Sequence, residues 1–470
     1  MGKRREEFGA MVRGKPPPIA LAVGLFLQPP IQPVEKASVQ AHPGPAAPDA
    51  DTIRTTGTDH VMKLLHTSDW HLGATFHDRA RDADEEHALD QIIAVARDRA
   101  VDAVVISGDI FDTANPGAAE QRRWYQTLQR LVDEAGVGTV VAIAGNHDSG
   151  LRLEGPRELL ASRRVQVRGL LTREADAFGC VVPMQDRSGQ QRAWCALVPY
   201  LREGDLLRAG DDVGEDRPQR LARALHRRWA EVRAAVPVGL PWIAVGHAFA
   251  TGGRLGGAES PVLVEVGNLG KADIASLAAG SSYAAFGHLH QPQTIAGQAH
   301  WRYSGALLPT GFDEAGLERS IVLAEIPDDG SPAVTELVPL IPYRKYQRVV
   351  GTLDVVQTTL RSLPEPAPGA PTPWLQAIVH LDTPVPGLTR LLGEAAGARD
   401  WSCVATHLQR GGTAAGTPGS GAGTLPPELD ALAPAEVFRL LHQHLYHADP
   451  PPALAGSFDD LLVTVQAQKD

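Results

Sequence analysis

Five apolar runs in this chain end the same way, and that repetition constrains the fold more than any other feature. VMKLLHTSDWHLG, from Val61 to Gly73, releases Asp69 and His71, and VVISGDIFD releases Asp109 and Asp112. VVAIAGNHD releases Asn146, His147 and Asp148, WIAVGHAF releases His247, and YAAFGHLH releases His288 and His290. Among these runs lie amphipathic segments, Ala83 to Ala100 and Ala118 to Ala135, which read as helices, so strands and helices alternate. That order predicts a largely parallel sheet flanked by helices. Polar side chains leaving the carboxyl ends of such strands converge on the edge where open α/β sheets bind ligands. Glycine before these groups predicts sharp backbone turns.

Further strands are expected at Ala193 to Val198, Trp242 to Val245, Tyr283 to Phe286, Trp301 to Tyr303 and Ile321 to Glu325, and an exposed Arg-rich helix at Pro218 to Ala235. After Pro342 the pattern changes to strand-like pieces (Gln347 to Leu353, Trp374 to Leu381) and a helix near Gly387 to Ala396. The connector GGTAAGTPGSGAGTLPPE then leads to two amphipathic helices, one carrying Val437, Phe438, Leu441 and Leu445, the other Phe458, Leu461, Leu462 and Val465. A chain of 470 residues is too long for one core. The expected division is a Pro-rich extension or misassigned start (1–61), a catalytic domain (62–341), a small capping domain (342–407), a flexible linker (408–428) and a helical docking segment (429–470).

Three cysteines without CxxC spacing argue against a disulfide framework and fit a reducing cytoplasm. The longest apolar run of the extension, Ile19 to Leu27, is far short of the roughly 20 residues of a membrane helix. No clear cleavage site follows it, so neither a membrane span nor export is expected. The net charge of −11, or −12 without residues 1–60, lacks the basic footprint of a nucleic-acid binder. DNA contact would then depend on local patches or bound cations.

Each short motif alone matches by chance, but the ordered set carries weight. Asp69, His71, Asp109, Asn146, His247, His288 and His290 make a mixed nitrogen and oxygen donor set too large for one ion, which points to two, of the Mn²⁺, Fe²⁺ or Zn²⁺ kind. His66, His77, His87, His226, His300, His380, His407, His442, His444 and His447 lack this context and read as structural or surface residues.

DWH, GDIFD, GNHD, GH and GHLH in this order resemble the calcineurin-like metallophosphoesterases. MKLLHTSDWHLG, GDIFDTANP, VPYLRE, FGHLHQPQ and YSGALLPTGFDE narrow the resemblance to the SbcD-type nuclease subunits of bacterial SbcCD complexes, over about Met62 to Arg344. The resemblance implies two packed mixed sheets flanked by helices, a small α+β cap and C-terminal helices. It implies one ion on Asp69, His71, Asp109 and His290, and another on Asp109, Asn146, His247 and His288, with Asp109 shared and Mn²⁺ the expected metal. His147 would face the scissile phosphate, Asp148 would orient His147, and Asp112 would support a neighbour or fix its loop.

By the same resemblance the partners are DNA and an SbcC-type coiled-coil ATPase, with a homodimer of this chain inside a heterotetramer. The activities would be ATP-dependent double-strand exonuclease and single-strand or hairpin endonuclease, serving DNA repair, recombination and replication. The chain has no GxxxxGK[ST] phosphate loop, so ATP is expected on the partner. Two alternatives use the same fold: a phosphoesterase for a small nucleotide or phosphoprotein, and a non-catalytic scaffold, which would need none of these ligands.

Overall fold

The computed structural model describes residues 61–171, 177–207, 217–249, 277–364, 367–381, 385–396, 402–410 and 434–446, with isolated positions to 458. The Pro-rich extension, the Gly-rich linker and the second C-terminal helix expected from the sequence lie outside the described residues, apart from Phe458.

The strands, in chain order, are β1 (Val61–Thr67), β2 (Ala103–Ile106), β3 (Thr139–Ile143), β4 (Val165–Arg168), β5 (Val181–Gln185), β6 (Gln191–Val198), β7 (Trp242–His247), β8 (Tyr283–Gly287), β9 (Gln293–Ile295), β10 (Gln298–Tyr303), β11 (Ser320–Pro327) and β12 (Val334–Pro339). They form two six-stranded sheets, ordered β12-β11-β1-β2-β3-β4 and β5-β6-β7-β8-β10-β9. In the first sheet β1 to β4 run parallel and β11 is antiparallel to β1, with His66 opposite Val322. In the second, β6, β7, β8 and β10 run parallel, and β5 and β9 are antiparallel at the edges. The helices are α1 (Asp82–Asp98), α2 (Ala118–Asp133), α3 (Gly150–Glu154), α4 (Arg157–Ala161), α5 (Glu203–Leu206) and α6 (Arg217–Ala234).

Alternation along each strand builds the layers. Leu65, Val104, Ile106, Val140 and Ala142 face the core that holds Leu89, Ile92 and Ile93 of α1 and Trp124 and Leu128 of α2. Their neighbours Leu64, Val105, Val141 and Ile143 face the second sheet and meet Cys195, Leu197, Ile243, Val245, Tyr283 and Ala285. The other side of that sheet packs on α6 through Leu221, Leu225 and Trp229. Strands buried on both faces show as continuous apolar sequence, which is why VVI and TVVAI read correctly as strands.

The capping region differs in composition but is a regular unit: β13 (Tyr346–Thr352), α7 (Leu353–Ser362), β14 (Trp374–Leu381), α8 (Leu388–Ala396) and β15 (Ser402–Arg410), with all three strands parallel in chain order. Its own core joins Val356 and Leu360 of α7, Leu375, Ala377 and Val379 of β14, and Leu388 and Leu392 of α8. β15 reaches Arg410, so the expected domain boundary at 407 falls inside a strand and moves outward. A last helix, α9 (Pro434–Tyr446), bears the first of the two C-terminal apolar stripes, and its Phe438 stacks on Phe458 at 4.2 Å between ring centroids.

Candidate metal centre

All seven residues expected as metal ligands lie at the carboxyl edge of the two sheets. Asp69 and His71 follow β1, Asp109 follows β2, Asn146 follows β3, His247 ends β7, and His288 and His290 follow β8. The ligand donor atoms fall into two groups, Asp69 with His71 and His290, and Asp109 with His247 and His288. Asn146 joins the second group, its Oδ1 lying 3.0 Å from both His247 Nε2 and His288 Nδ1. Asp109 Oδ2 stands between the groups, 3.3 Å from His247 Nε2 and 3.8 Å from His71 Nε2.

The backbone carries the strain of this convergence. Asp69 (φ 51°), His71 (φ 47°), Asp109 (φ 49°) and His288 (φ 106°) all have left-handed backbone. Such conformations cost of order 1 kcal/mol or more each and persist where surrounding contacts fix them. Backbone bonds do that here: Asp69 N donates to Gly108 O and His71 N to Asp109 O, both at 3.0 Å. The glycines act differently from expectation. Gly108 does turn, at φ 95°, but Gly145 and Gly287 are required for space. A Cβ on Gly145 would strike the Asp109 carboxylate, and one on Gly287 would strike the Ser107 carbonyl and His247 Nδ1.

The electrostatics suit cations. Asp69 and Asp109 are 1% and 2% exposed, and burying two carboxylates this close without compensation is costly. Burial works against charge on Asp109, yet the neighbouring His247 and His71 hold its carboxyl well below the usual range. Burial lowers His247, but Asp109 outweighs it and raises that ring to about 9. Burial and the charge of His247 push His288 down to about 3, and burial with His71 lowers His290. These last rings are neutral and offer lone pairs. His71 Nε2 is buried with no hydrogen-bond partner. Neighbouring ligand atoms around an ion bound at about 2.1 Å lie about 3 Å apart, the spacing seen around Asn146 Oδ1, so the donor set fits divalent cations.

Supporting contacts surround the donors. Asp112 Oδ1 lies 3.4 Å from His71 Nδ1, and its backbone carbonyl accepts from His147 Nδ1 at 2.8 Å. Sequence reading singled out Asp112 without fixing its contact, because nothing local shows that the loop after β2 folds over His71. His247 Nδ1 donates to the Ser107 carbonyl at 2.8 Å, which turns Nε2 toward the centre. The motif TGFDE supplies Glu314, 1% exposed, with Oε1 4.0 Å from His290 Nδ1 and Oε2 2.5 Å from Arg319, while Arg319 Nη1 donates to the His290 carbonyl at 2.8 Å.

His147 is exposed, with its backbone N donating to Asp109 Oδ1 at 2.9 Å and its ring 4.8 Å from that of His71. Asp148 does not orient it. The Asp148 carboxylate turns inward and accepts from Ile110 N (3.1 Å), Phe111 N (3.0 Å) and Gly145 N (2.8 Å), so it ties the loop after β2 to the loop after β3. Burial, then the charge of Asp109, raises its carboxyl to about 6 despite these three donors. The Asp112 carbonyl is what holds the His147 ring. On the Arg-rich helix α6, expected to be exposed, Arg228 is 2% exposed and bonds Glu231 at 2.6 Å and the Leu171 carbonyl, which is internal structure.

A profile of calcineurin-like phosphoesterases matches residues 62–292, the span that carries all seven donors. The chain is 32% identical over 343 residues to SbcD, the D chain of nuclease SbcCD, of Rhodobacter capsulatus, covering 71% of this chain and 84% of that protein. It is 33% identical over 267 residues to the SbcD protein of Bacillus subtilis and 32% identical over 270 residues to that of Escherichia coli K12. Each of these two matches covers 56% of this chain, and 66% and 64% of the respective relative. With a relative matched over most of its length, on a phosphoesterase domain whose strand ends bring the donors together, the chain belongs to the SbcD family of SbcCD nuclease components.

Proposed function

We propose that the protein is a two-metal phosphodiesterase that cleaves DNA as the nuclease subunit of an SbcCD-type complex. The observation that carries this reading is the pair of donor groups meeting at one carboxylate, Asp109, with a buried, unpartnered His71 nitrogen facing it. Asp69, His71, Asp109 and His290 would hold one ion, and Asp109, Asn146, His247 and His288 the other, with Mn²⁺ as the metal. Such a pair activates water and neutralises charge on a phosphoryl group. The chain's own contribution is placement. Asp112 aims the His71 ring, and Glu314 holds Arg319, which bonds the His290 carbonyl. His147, anchored through Nδ1, presents Nε2 as a donor to the developing charge or the leaving oxygen.

The acidic chain is compatible with DNA because the cations supply the local positive field. ATP-dependent double-strand exonuclease and single-strand endonuclease activity would require an SbcC-type ATPase, with α9 and the residues after it as the docking segment. Leu441 of α9 is 53% exposed, which leaves part of its apolar stripe available. In a homodimer, the apolar groove of about 460 Å³ between α2 and α4, lined by Tyr125, Leu128, Val132 and the 70% exposed Leu159, would be a face for the second copy. Among the described residues no helix is long and apolar enough to cross a membrane, and a cytoplasmic site of action suits a DNA substrate.

Incubating the protein and Mn²⁺ with a DNA hairpin and, separately, with a chromogenic phosphomonoester tests the reading. Hairpin cleavage is expected. Monoester hydrolysis alone would instead support a small-substrate phosphoesterase, and inactivity on both a scaffold.

A further inference from the structure

The seven proposed ligands come from both sheets: Asp69, His71, Asp109 and Asn146 from the first, His247, His288 and His290 from the second. An intact centre therefore depends on how the sheets are held across a core that is otherwise apolar, Leu64, Val105 and Val322 facing Val245 and Ala285. One side chain in that layer is polar in an unexpected place. His66, on β1 and fully buried, has Nδ1 2.9 Å from the Tyr283 hydroxyl on β8 and Nε2 2.8 Å from the Ser107 hydroxyl just after β2. Burial keeps this imidazole neutral, with one nitrogen donating and the other accepting, and a hydroxyl can answer either role. Ser107 is the residue whose carbonyl accepts from His247 Nδ1, and it lies two residues before Asp109. The contacts therefore run from the second sheet through Tyr283, His66 and Ser107 to His247, back in the second sheet. Space at the far end is tight, since a Cβ on Gly108 or Gly287 would meet the His247 ring.

We propose that His66 is a positioning residue for the dinuclear centre: it fixes Ser107 against Tyr283, and Ser107 in turn sets the His247 ring relative to Asp109. The inference rests on the two-metal reading above. It assigns a role to a histidine that touches no proposed ligand. A purely structural histidine would support the fold alone, whereas a positioning one must also act on the metal pair.

Three variants separate these cases. Ser107→Ala removes the hydroxyl and keeps the carbonyl, Tyr283→Phe removes the other partner, and Ile326→Ala opens a cavity in the same apolar layer opposite Met62, away from the chain of contacts. Each is titrated calorimetrically with Mn²⁺, and electron paramagnetic resonance reads the exchange-coupled signal of a manganese pair. Ser107→Ala and Tyr283→Phe should weaken Mn²⁺ binding at one site by about 10- to 100-fold, the usual effect of losing an outer support of a ligand, and should lose the coupled signal. Ile326→Ala should lower the unfolding temperature and keep both properties. Unchanged affinity and coupling in Ser107→Ala would overturn the proposal, and if that variant did not fold, Tyr283→Phe would decide by the same measurements. A wild-type protein that bound no manganese pair would overturn the two-metal reading itself, and the proposal with it.

Discussion

Replacing Asp84 with Ala should loosen the β13–β15 unit from helix α1. Asp84, on α1 and 1% exposed, accepts from Arg344 Nε at 2.8 Å, forms an ion pair with Arg344 Nη2 at 2.7 Å, and accepts from the Tyr346 hydroxyl at 2.9 Å. Arg344 also lies over the Trp374 ring of β14 at 4.2 Å, and Trp374 stacks on Phe76, which packs with Phe312 and Tyr346. Removing one partner of a buried ion pair costs about 3 to 5 kcal/mol. The lower figure applies here, because a cavity of about 510 Å³ lined by Arg344 gives the guanidinium room to reach water. The residual contact with Trp374 retains of order 1 kcal/mol of the docking energy. About 3 kcal/mol corresponds to a roughly 10²-fold rise in the undocked population. Hydrogen exchange at residues 74–81 and 343–350 should accelerate by that factor, with β2 and β7 unaffected. The same aromatic cluster touches the segment that follows His71, through Phe76, and the segment that holds Glu314, through Phe312. Mn²⁺ affinity should therefore fall more at the Asp69, His71 and His290 group than at the Asp109, His247 and His288 group. Exchange rates within threefold of wild type in both segments would refute the reasoning.

His147→Ala should bind two ions and lower kcat on a DNA hairpin by roughly 10²- to 10⁴-fold, as expected for loss of a proton or hydrogen-bond donor. Metal analysis showing an empty variant would show instead that His147 is a ligand. Acid should destabilise the metal-free protein through His66, whose native ring is pushed by burial from 6.5 to about 3. Above pH 6.5 the ring is neutral in both states, and below it the unfolded chain takes up a proton that the native state refuses, so stability falls with pH. Between pH 7.5 and 5 that loss is about 2 kcal/mol, and urea unfolding of His66→Leu should lack that share of the pH dependence. Removing residues 430–470 should weaken binding of an SbcC-type ATPase and leave Mn²⁺-dependent cleavage by the isolated chain intact, and an unchanged affinity in titration would exclude docking there.

The central strands were legible because burial on both faces leaves no polar position to disguise them, as in VVI of β2 and TVVAI of β3. Edge strands were not. VTELVP of β12 has an exposed Val334 and Leu337 and so lacks the alternation of a half-buried strand, and QTI of β9, although it alternates in burial, is only three residues long. Sheet order was equally hidden. β11 pairs with β1 across some 260 residues, a contact that leaves no local trace in either sequence.

At the centre, chemistry was legible where a residue type has few other reasons to follow a buried strand, as with Asp69 and His247. It was not legible where the role depends on what lies across space. Asp148 follows His147 in sequence, and adjacency suggested that one orients the other, yet consecutive side chains after a strand point apart: Asp148 turns in to three backbone amides while His147 turns out. Asp112 and Glu314 are 41 and 24 residues from the rings they approach, His71 and His290. His66 gave the opposite error. It lacks the context of a ligand and reads as an ordinary structural or surface residue, which misses its partners, because Ser107 and Tyr283 are 41 and 217 residues away. A neutral histidine placed among valines and leucines costs free energy unless both nitrogens are bonded. The residue that looked least informative in the first motif is therefore the one whose retention most needs the three-dimensional contacts to explain it.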